Sequence, residues 1–526
     1  MSFKGITLVL FLNLLLAFGF FYDFRNAGAL DVSTDLANII PICKKIDNPA
    51  LFKNDLYLND VNDVKYYTPF YVQLLRSCAK LTGGDYFQAL NLTSFFTHLL
   101  YGITWFFLFY SIKKDYWIAL FSSLLFRGVL WPPGGELMGI SDLWTIMPRT
   151  VFMALVPLPF LAYLYLPKFK IIISALVLGL IVNFHPLTGV GVVIGYFSIF
   201  LIDAYFQKKI QSVIFWKELI LAIICCLIGM FPYVMTYITN IKSDLNVDQQ
   251  LFTQAFNLRL PPFFSSPLEF VKLWNRPVLL FFAATFICFA FFDSSKNRQL
   301  VKLLFFSGLI IFITANGVVY LEQFVNELLD KNLRMSFQLI RFQKLILVLL
   351  EIGFFLLLTE LAKRFKISES LKRKSLFGFV LILVFSMTAP FSKLPFIGDD
   401  ICATILPQSF KINGKITDQG KVDFEKMVIF VKQQTPDDSV FFGNFLLRSA
   451  ANRSVVLDAK GAGMLIEGNP EKFVAWYQDI VRFEKLPSRE KTAFLRNKKV
   501  NYILDKNHWE DCELVKTIGE YRLYKL

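Results

Sequence analysis

Long, uninterrupted apolar segments occupy the first three quarters of the chain. Eleven of them are close to the roughly 17–25 residues of helix that cross the hydrocarbon core of a bilayer. They cover residues 6–22, 89–111, 116–131, 151–166, 171–187, 188–203, 218–237, 277–293, 303–320, 343–362 and 375–391. The first lacks a small-residue cleavage site before Asp23, so we interpret it as an anchor and not as a signal peptide. The pattern predicts a polytopic α-helical membrane protein of about 11 spans.

The pattern changes at about residue 392. Residues 392–526 carry 21 Lys and Arg and 18 Asp and Glu, and no run in them is long enough to span a membrane. Helices are predicted at 423–434 and 470–485. Short β-rich runs lie at 439–443, 454–458 and 500–504, and a last strand, YRLYKL, closes the chain. Strands that alternate with helices predict a small α/β fold. We therefore divide the chain into a transmembrane domain, 1–391, and a soluble domain, 392–526.

The basic residues predict how the chain is oriented. If the N-terminus is cytoplasmic, the inner loops total 49 residues and hold 17 Lys and Arg against 2 acidic residues. The outer loops total 146 residues and hold 15 Lys and Arg against 16 acidic residues. This positive-inside bias predicts an N-in, C-out protein with a long first outer loop, 23–88, and an extracytoplasmic C-terminal domain.

Composition and charge exclude several classes of protein. The chain is 55% hydrophobic and only 18% charged, which excludes a soluble enzyme and a disordered protein. Its net charge of +14 is largely an orientation signal, so we predict no nucleic-acid partner. The sequence contains no Walker loop, no CxxC and no HExxH, and its three histidines lie far apart. We predict no cofactor, although a metal site built from carboxylates stays open.

The long outer loops point to a site on the outer face. Asp31 and Asp35 follow the first span and are four residues apart, so they share a face if that segment is helical. Asp55 follows in the run LFKND. A carboxylate at the membrane surface can act as a general base toward a hydroxyl. For each aspartate taken singly, a helix cap or a solvated loop charge is the stronger alternative.

The second outer loop combines a backbone break with charged residues. The run Pro132–Gly135 cannot continue a helix, and Glu136 and Asp142 follow it. Arg127 and Arg149 flank the loop, and a guanidinium offers a planar donor fork that suits phosphate. The alternative for both arginines is that they reach toward lipid headgroups.

Polar residues also occur at the ends of later spans. Asn183 and His185 end the fifth span before Pro186, although a single histidine is more often structural than catalytic. Gly191 and Gly195 form a GxxxG pattern, which predicts close helix packing.

A basic pair precedes the tenth span. Arg334 and Arg341 lie seven residues apart on one helical face. Arg341 could hold a phosphate or anchor the span to lipid. Glu351 is ten residues further, about 15 Å along a helix, so it cannot pair directly with Arg341.

Four cysteines fall outside the predicted spans. Cys43 and Cys78 lie in the first outer loop, and Cys402 and Cys512 lie in the C-terminal domain. In an oxidising compartment each couple is a disulfide candidate, and two couples of unrelated thiols are the equal alternative.

Several motifs together resemble the GT-C glycosyltransferases, specifically a bacterial group within or near that superfamily. The matching residues in the transmembrane part are Asp31, NPALFKND ending at Asp55, GGELMGI, His185–Pro186 and FQLIR ending at Arg341. In the C-terminal part they are TPDDSVFFGN, RSVVLDAKG and FVAWYQDI. The resemblance extends over most of the chain, although each motif alone has low specificity.

The resemblance implies a function and roles for several residues. GT-C enzymes move a sugar from a polyprenyl-phosphate carrier to an acceptor on the outer face of the membrane. Asp31 would then be the catalytic base, with Asp35 as its nearest substitute. The residues assigned to substrate binding are Arg341, which leads as the phosphate ligand, and Arg149, His185, Glu136 and Asp55. Arg453, Lys460 and Trp476 fall in the matched C-terminal pattern without an assigned role.

The implied partners are a polyprenyl-phosphate-linked sugar, the lipid bilayer and a glycan, lipid or protein acceptor. We expect an integral protein of a bacterial inner membrane. The chain lacks the paired acidic motif of metal-dependent members near Asp31, which leaves metal use open. Three other functions remain as alternatives: a transporter or flippase for lipid-linked substrates, an O-antigen-type polymerase or ligase, and a scaffold without catalysis.

Overall fold

A computed structural model of the chain describes residues 3–25, 28–32, 35–64, 68–129, 146–238, 247–260, 266–292, 295–329, 339–386, 406, 419–466 and 468–526. The chain folds into two compact units. Unit 1 contains Met1–Arg25, Leu90–Pro232 and Pro262–Gly414. Unit 2 contains Asn26–Ala89, Tyr233–Pro261 and Lys415–Leu526. The predicted boundary at 391/392 falls outside the described residues and stays a prediction.

Helices form most of the described chain. Before residue 240 they are α1 (Phe3–Arg25), α2 (Leu36–Asp47), α3 (Pro69–Leu81), α4 (Tyr86–Lys113), α5 (Tyr116–Val129), α6 (Pro148–Leu155), α7 (Pro157–Tyr165), α8 (Lys170–Val182), α9 (Pro186–Phe206) and α10 (Val213–Ile238). After it they are α11 (Gln249–Arg259), α12 (Pro267–Phe291), α13 (Ser295–Leu329), α14 (Leu345–Arg364), α15 (Glu369–Ser386), α16 (Gln419–Gln434), α17 (Leu446–Ala451), α18 (Ala459–Ala462), α19 (Pro470–Lys485) and α20 (Ser488–Asn497). Short 3-10 helices lie at Ala29–Val32, Val61–Asp63, Lys209–Gln211 and Ile340–Lys344.

Within the described residues, each of the eleven predicted segments overlaps one or two of these helices. Among the described residues, seven helical stretches are long and apolar enough to cross a membrane, and α12, bent by 55°, gives an eighth. The seven are Lys4–Tyr22, Tyr86–Lys113, Pro148–Tyr165, Pro186–Phe206, Val213–Thr236, Lys296–Leu329 and Ile340–Arg364. Tyr116–Arg127 and Lys170–Val182 are apolar but shorter. The number of spans and their orientation stay predictions.

Glycines let two of these helices pack closely in unit 1. A Cβ on Gly179 of α8 would clash with the backbone oxygen of Cys226 in α10, and a Cβ on Gly229 would lie 2.6 Å from the Leu176 oxygen. The amide of Asn183 uses this proximity and donates to the Gly229 oxygen at 2.8 Å. The polar residue at the end of the fifth predicted span therefore joins two helices, since its donor finds a backbone acceptor.

The GxxxG pattern on α9 is matched by close packing at Gly191 but not at Gly195. A Cβ on Gly191 would clash with the side chain of Phe342, and a Cβ on Gly195 would lie 3.5 Å from Ile311. Gly191 therefore lets the 3-10 helix Ile340–Lys344 lie directly against α9, because no larger residue leaves room there.

Unit 2 contains a five-stranded sheet. Its strands are β1 (Val440–Phe442), β2 (Ser454–Val456), β3 (Tyr502–Asp505), β4 (Glu513–Ile518) and β5 (Tyr521–Lys525), in the spatial order β2-β1-β3-β5-β4. β1 pairs in parallel with β2 and β3, and β5 pairs antiparallel with β3 and β4. The predicted helices at 423–434 and 470–485 correspond to α16 and α19. The expected fold class, a polytopic helical membrane protein with a small C-terminal α/β domain, is confirmed.

Alternate strand residues pack on opposite faces of this sheet, as the two-residue period of a strand requires. Phe441, Leu504 and Leu523 join a core with residues of α16 and α17. Their neighbours Val440, Ile503 and Tyr524 join a second core with residues of α19 and α20. Ala29 and Ala37 of the first loop are buried in the first core. The first loop is therefore an integral part of the folded unit 2.

The cysteines of unit 2 are not paired. Cys43 and Cys78 are buried free thiols, and Cys512 is a partly buried free thiol. Cys402 lies outside the described residues. The alternative of unpaired thiols therefore describes Cys43 and Cys78 in this structure.

Candidate active site

Three basic residues come together in unit 1. Arg149 is the second residue of α6, directly after Pro148. Arg341 and Lys344 are three residues apart in the 3-10 helix that leads into α14. Both arginines lie within electrostatic range of the Lys344 amine. Two of the predicted phosphate ligands, which are far apart in sequence, thus act electrostatically on the same buried amine.

The amine of Lys344 is enclosed without a partner. Lys344 is only 1% exposed, and neither its Nζ nor the Nε of Arg149 has a hydrogen-bond partner among the described residues. The Nη2 of Arg149 donates to the sulfur of Met147 at 3.0 Å, which is a weak acceptor. An unpaired buried charge is costly, and like charges nearby increase the cost. The group therefore suits an anion with several oxygen acceptors, such as a phosphate.

Sequence reasoning missed Lys344. The available signal was its spacing in the run IRFQK, since residues three apart lie on one side of a helical segment. It was missed because a basic residue at the start of an apolar helix resembles a lipid anchor.

The predicted catalytic aspartates lie at the start of unit 2. Asp31 belongs to the 3-10 helix Ala29–Val32, and its side chain lies outside the described part of the structure. Asp35 immediately precedes α2 and makes no side-chain cap. Its Oδ1 lies 3.0 Å from the Nζ of Lys460, and both side chains are partly exposed. The backbone oxygen of Lys460 accepts from Asn38 of α2 at 3.0 Å. Lys460 therefore gains a partner but no catalytic role from this geometry.

Asp55 is the centre of a buried ion-pair network. Its Oδ2 accepts from Arg448 Nε at 2.9 Å and from Val455 N at 3.0 Å. Its Oδ1 accepts from the backbone nitrogens of Tyr57 and Leu58 at 2.9 and 3.2 Å. Both oxygens are thus occupied by protein donors. This arrangement favours a structural role, and the substrate-binding role of Asp55 stays a prediction.

Arg448 also binds a second carboxylate. Its Nη2 donates to Asp458 Oδ2 at 2.7 Å and its guanidinium lies over the Tyr57 ring, 5.0 Å from the centroid. Burial opposes the charge of Arg448, but Asp458 and Asp55 outweigh it and raise its pKa above the ordinary value. Removing Arg448 would leave two buried carboxylates without their cation, and removing Asp55 would break one of its two buried pairs.

The other matched C-terminal residues are also built into unit 2. Arg453 is buried and donates to the backbone oxygens of Lys432, in the last turn of α16, and of Thr435, directly after that helix. Trp476 is buried and stacks on Phe473 with 5.6 Å between ring centroids. These contacts give both residues a place in the unit's packing.

His185 and Arg127 have local structural partners. The Nδ1 of His185 accepts from the Thr188 nitrogen at 3.2 Å and so caps the start of α9. Accepting this bond puts the proton of a neutral imidazole on Nε2. Arg127 is 1% exposed and donates to Asn13 and to the His98 oxygen at 2.9 and 2.7 Å. It does not reach lipid headgroups, because it ties α5 to α1 and α4.

Three of the charged residues singled out in the outer loops lie outside the described residues: Glu136, Asp142 and Arg334. Within the described part, no group of three His, Cys, Asp or Glu side chains could hold a metal ion. Whether the chain needs a metal stays a prediction.

Solved structures identify the fold. No protein-family model and no curated protein matches this sequence. The chain is similar to ArnT from Cupriavidus metallidurans in the apo state, with a TM-score of 0.52, 9% identity, and 99% of this chain and 98% of that chain covered. The structure of the same protein bound to undecaprenyl phosphate has a TM-score of 0.51 and 10% identity, with 99% of this chain and 98% of that chain covered. The chain shares the fold of these ArnT structures over nearly its full length. The chain is an integral membrane protein.

Proposed function

We propose that this protein is a membrane glycosyltransferase that moves a sugar from a polyprenyl-phosphate carrier to an acceptor outside the cytoplasm. The observation that carries the proposal is the buried amine of Lys344, which lies within electrostatic influence of the partly exposed Arg149 and Arg341. The fold supports it, since a similar protein was solved bound to undecaprenyl phosphate. The outer face of a bacterial inner membrane is the proposed location, with an N-in, C-out orientation.

The basic group would stabilise the leaving phosphate. As the bond between the anomeric carbon and the phosphate oxygen breaks, the electron pair stays on that oxygen, and preorganised cations are most effective where charge develops. Arg149 and Arg341 would contact the phosphate oxygens through their planar donors, and Lys344 would add a point charge. His185, Glu136 and Asp55 remain proposed substrate contacts.

The acceptor would be activated by a carboxylate of the first loop. Asp31 would take the proton of the acceptor hydroxyl as its oxygen attacks the anomeric carbon opposite the leaving group, which inverts the configuration. Asp35 is the second candidate. Its ion pair with Lys460 would have to open or shift before Oδ1 could receive a proton.

Lipid analysis of the purified protein tests the carrier site. Mass spectrometry should find a polyprenyl phosphate with the wild-type protein, and Arg341→Ala and Lys344→Met should lose most of it. Lys363→Met is the matched control, because Lys363 is exposed and lies in the last turn of α14, the helix that follows Lys344. Retention of the carrier by both site variants would refute the assignment.

A second assay separates transfer from transport. A transporter or flippase moves its substrate without changing covalent bonds, so it yields no glycosylated product in detergent solution. Wild-type protein with its lipid-linked donor and cell-envelope acceptors should form a glycosylated product. Carrier binding without any product would favour the transporter.

A further inference from the structure

A cleft of about 820 Å³ opens in unit 2 beside the ends of three strands. Ser439 and Val440 line it at the start of β1, Asn501 and Tyr502 at the start of β3, and Lys525 at the end of β5. Small-molecule sites commonly enclose 300–1,000 Å³, as a rough range. The cleft is therefore large enough for a ligand of several sugar units.

Lysines dominate the charge of the cleft. Its lining includes Lys53, Lys498, Lys499 and Lys525, all exposed. Lys498 pairs with Asp479 at 2.5 Å. The other three lysines make no ion pair within the described residues, so their charges are available to a ligand.

The acids of the lining do not cancel this charge. Asp55 is consumed by its buried pair with Arg448, and Asp479 is engaged by Lys498. Asp438 is the remaining acidic side chain among the described lining residues, and Leu526, the last residue of the sequence, adds its α-carboxylate, so three unpaired lysines face two anions. The cleft therefore carries an excess of positive charge and favours an anionic ligand.

The wall of the cleft is rigid. Asn501 exchanges two hydrogen bonds with the Val440 backbone, donating from its nitrogen and accepting at Oδ1, both at 2.8 Å. Leu457 and Lys499 also line the cleft and have φ values of 61° and 59°. Residues other than glycine rarely adopt this left-handed backbone conformation, and it persists where the surrounding structure holds it in place. A preformed wall lowers the entropy cost of binding.

We propose that this cleft binds an anionic glycan, an oligosaccharide that carries carboxylates or phosphates. Hydroxyl and amide groups of Ser439, Asn54 and Tyr502 stand among the lysines and suit a hydroxyl-rich ligand. Among the described lining residues Tyr502 is the one aromatic group, and Phe441 stacks on it at 5.2 Å. The described lining therefore does not favour a single-stranded nucleic acid, whose bases typically stack on several aromatic side chains. If the proposed function is correct, this glycan is the acceptor of the sugar. The binding of the glycan to the cleft does not depend on that function.

Titration of the full-length protein in nanodiscs tests the cleft. The probes are tetragalacturonate, phosphorylated maltotetraose and neutral maltotetraose, added without any donor. At least one charged probe should bind, and raising the salt to 0.5 M should weaken it, because screening shortens the range of the lysine charges. Preference for one charged probe identifies carboxylate or phosphate as the recognised group.

A matched pair of variants locates the binding. Replacing Lys53, Lys499 and Lys525 with Gln should weaken binding of the charged probe at least tenfold. The control replaces Lys426, Lys485 and Lys516 with Gln, which are exposed lysines outside the cleft, and should leave affinity within twofold. The inference is wrong if neutral maltotetraose binds equally well or if both triple variants lose affinity alike. Because the titration contains no donor, its result is independent of the transfer assay. Failure of glycan binding and failure of the proposed function can therefore be distinguished.

Discussion

Asp55 and Arg448 stand 393 positions apart in the sequence and form a fully buried ion pair, with 2.9 Å between Oδ2 and Nε. Asp55 lies in the first loop, and Arg448 lies in α17, between β1 and β2. The pair therefore fixes the first loop, which carries both candidate bases, onto the C-terminal sheet. This relationship places the two candidate bases and the C-terminal sheet in one folded unit, unit 2.

We predict that Asp55→Asn destabilises unit 2 strongly. The variant leaves the buried charge of Arg448 with only Asp458, and breaking a buried pair typically costs about 3–5 kcal/mol. Limited proteolysis and thermal unfolding of the purified protein would measure the loss. Asp437→Asn is the control, because Asp437 pairs with Arg453 but its side chain is 89% exposed. Equal stability of the two variants would contradict a buried role for Asp55.

We predict that Gly191→Ala impairs carrier binding. The new methyl group would displace Phe342, which stands between Arg341 and Lys344. Loss of co-purified polyprenyl phosphate without loss of expression would be the expected result. Gly195→Ala is the matched control four residues along α9, since its methyl would meet Ile311 at an ordinary 3.5 Å. Full carrier retention by Gly191→Ala would show that the approach of this segment to α9 is not needed.

We predict that the two candidate bases respond differently to substitution. Asp31→Asn should abolish transfer, a loss of at least a hundredfold for removal of a general base, while carrier binding is kept. Asp35→Asn should reduce transfer only to the extent that its pair with Lys460 orders α2. Lys460→Met separates the cases, because it removes the Asp35 partner and leaves Asp31 unchanged. If Asp35→Asn alone abolishes transfer, the base is Asp35.

We predict that the contribution of Lys44 to the stability of unit 2 rises with pH above about 8. The Nζ of Lys44 donates to the Ser449 oxygen and to Asn452 Oδ1, both at 2.7 Å. Burial, reinforced by the nearby charge of Lys432, lowers the pKa of Lys44 from 10.5 to about 8. Between these two pH values Lys44 binds more protons in the unfolded chain than in the folded chain. Its contribution to the free energy of unfolding therefore increases as the pH rises through this window.

Thermal unfolding of the wild type and of Lys44→Met from pH 7 to 11 measures this effect. The difference between the two curves should be flat below about pH 8 and should change between about 8 and 10.5. A difference that is constant across the whole range would show that Lys44 titrates normally in the folded protein.

Local patterns identified the elements well. The helix expected at 470–485 is α19, with the same bounds, and the closing YRLYKL forms β5. A hydrophobic period or run is contained within a few consecutive residues, so the sequence displays it directly. β4 was not predicted, because its residues are mostly exposed and lack the alternation of a half-buried strand.

The roles of the charged residues followed sequence reasoning less closely. Asp55 and Arg127 had the right chemistry for substrate contacts, and the structure also joins them to Arg448 and Asn13, each more than 100 positions away. Lys344 had the appearance of a lipid anchor until the structure put it beside Arg149. A partner that lies far away in sequence leaves no local pattern.

The sequence by itself determined that this chain is a helical membrane protein with a C-terminal α/β domain, and it nominated the carboxylates and arginines for chemistry. Apolar runs and charge bias are sufficient for this, because membrane insertion depends on the composition of each segment. Only the tertiary structure decided which charges are enclosed together, as at Arg149, Arg341 and Lys344, and which neutralise one another, as at Asp55 and Arg448. The physical reason is that the free energy of a buried charge depends on its spatial neighbours, and folding chooses those neighbours from the whole chain.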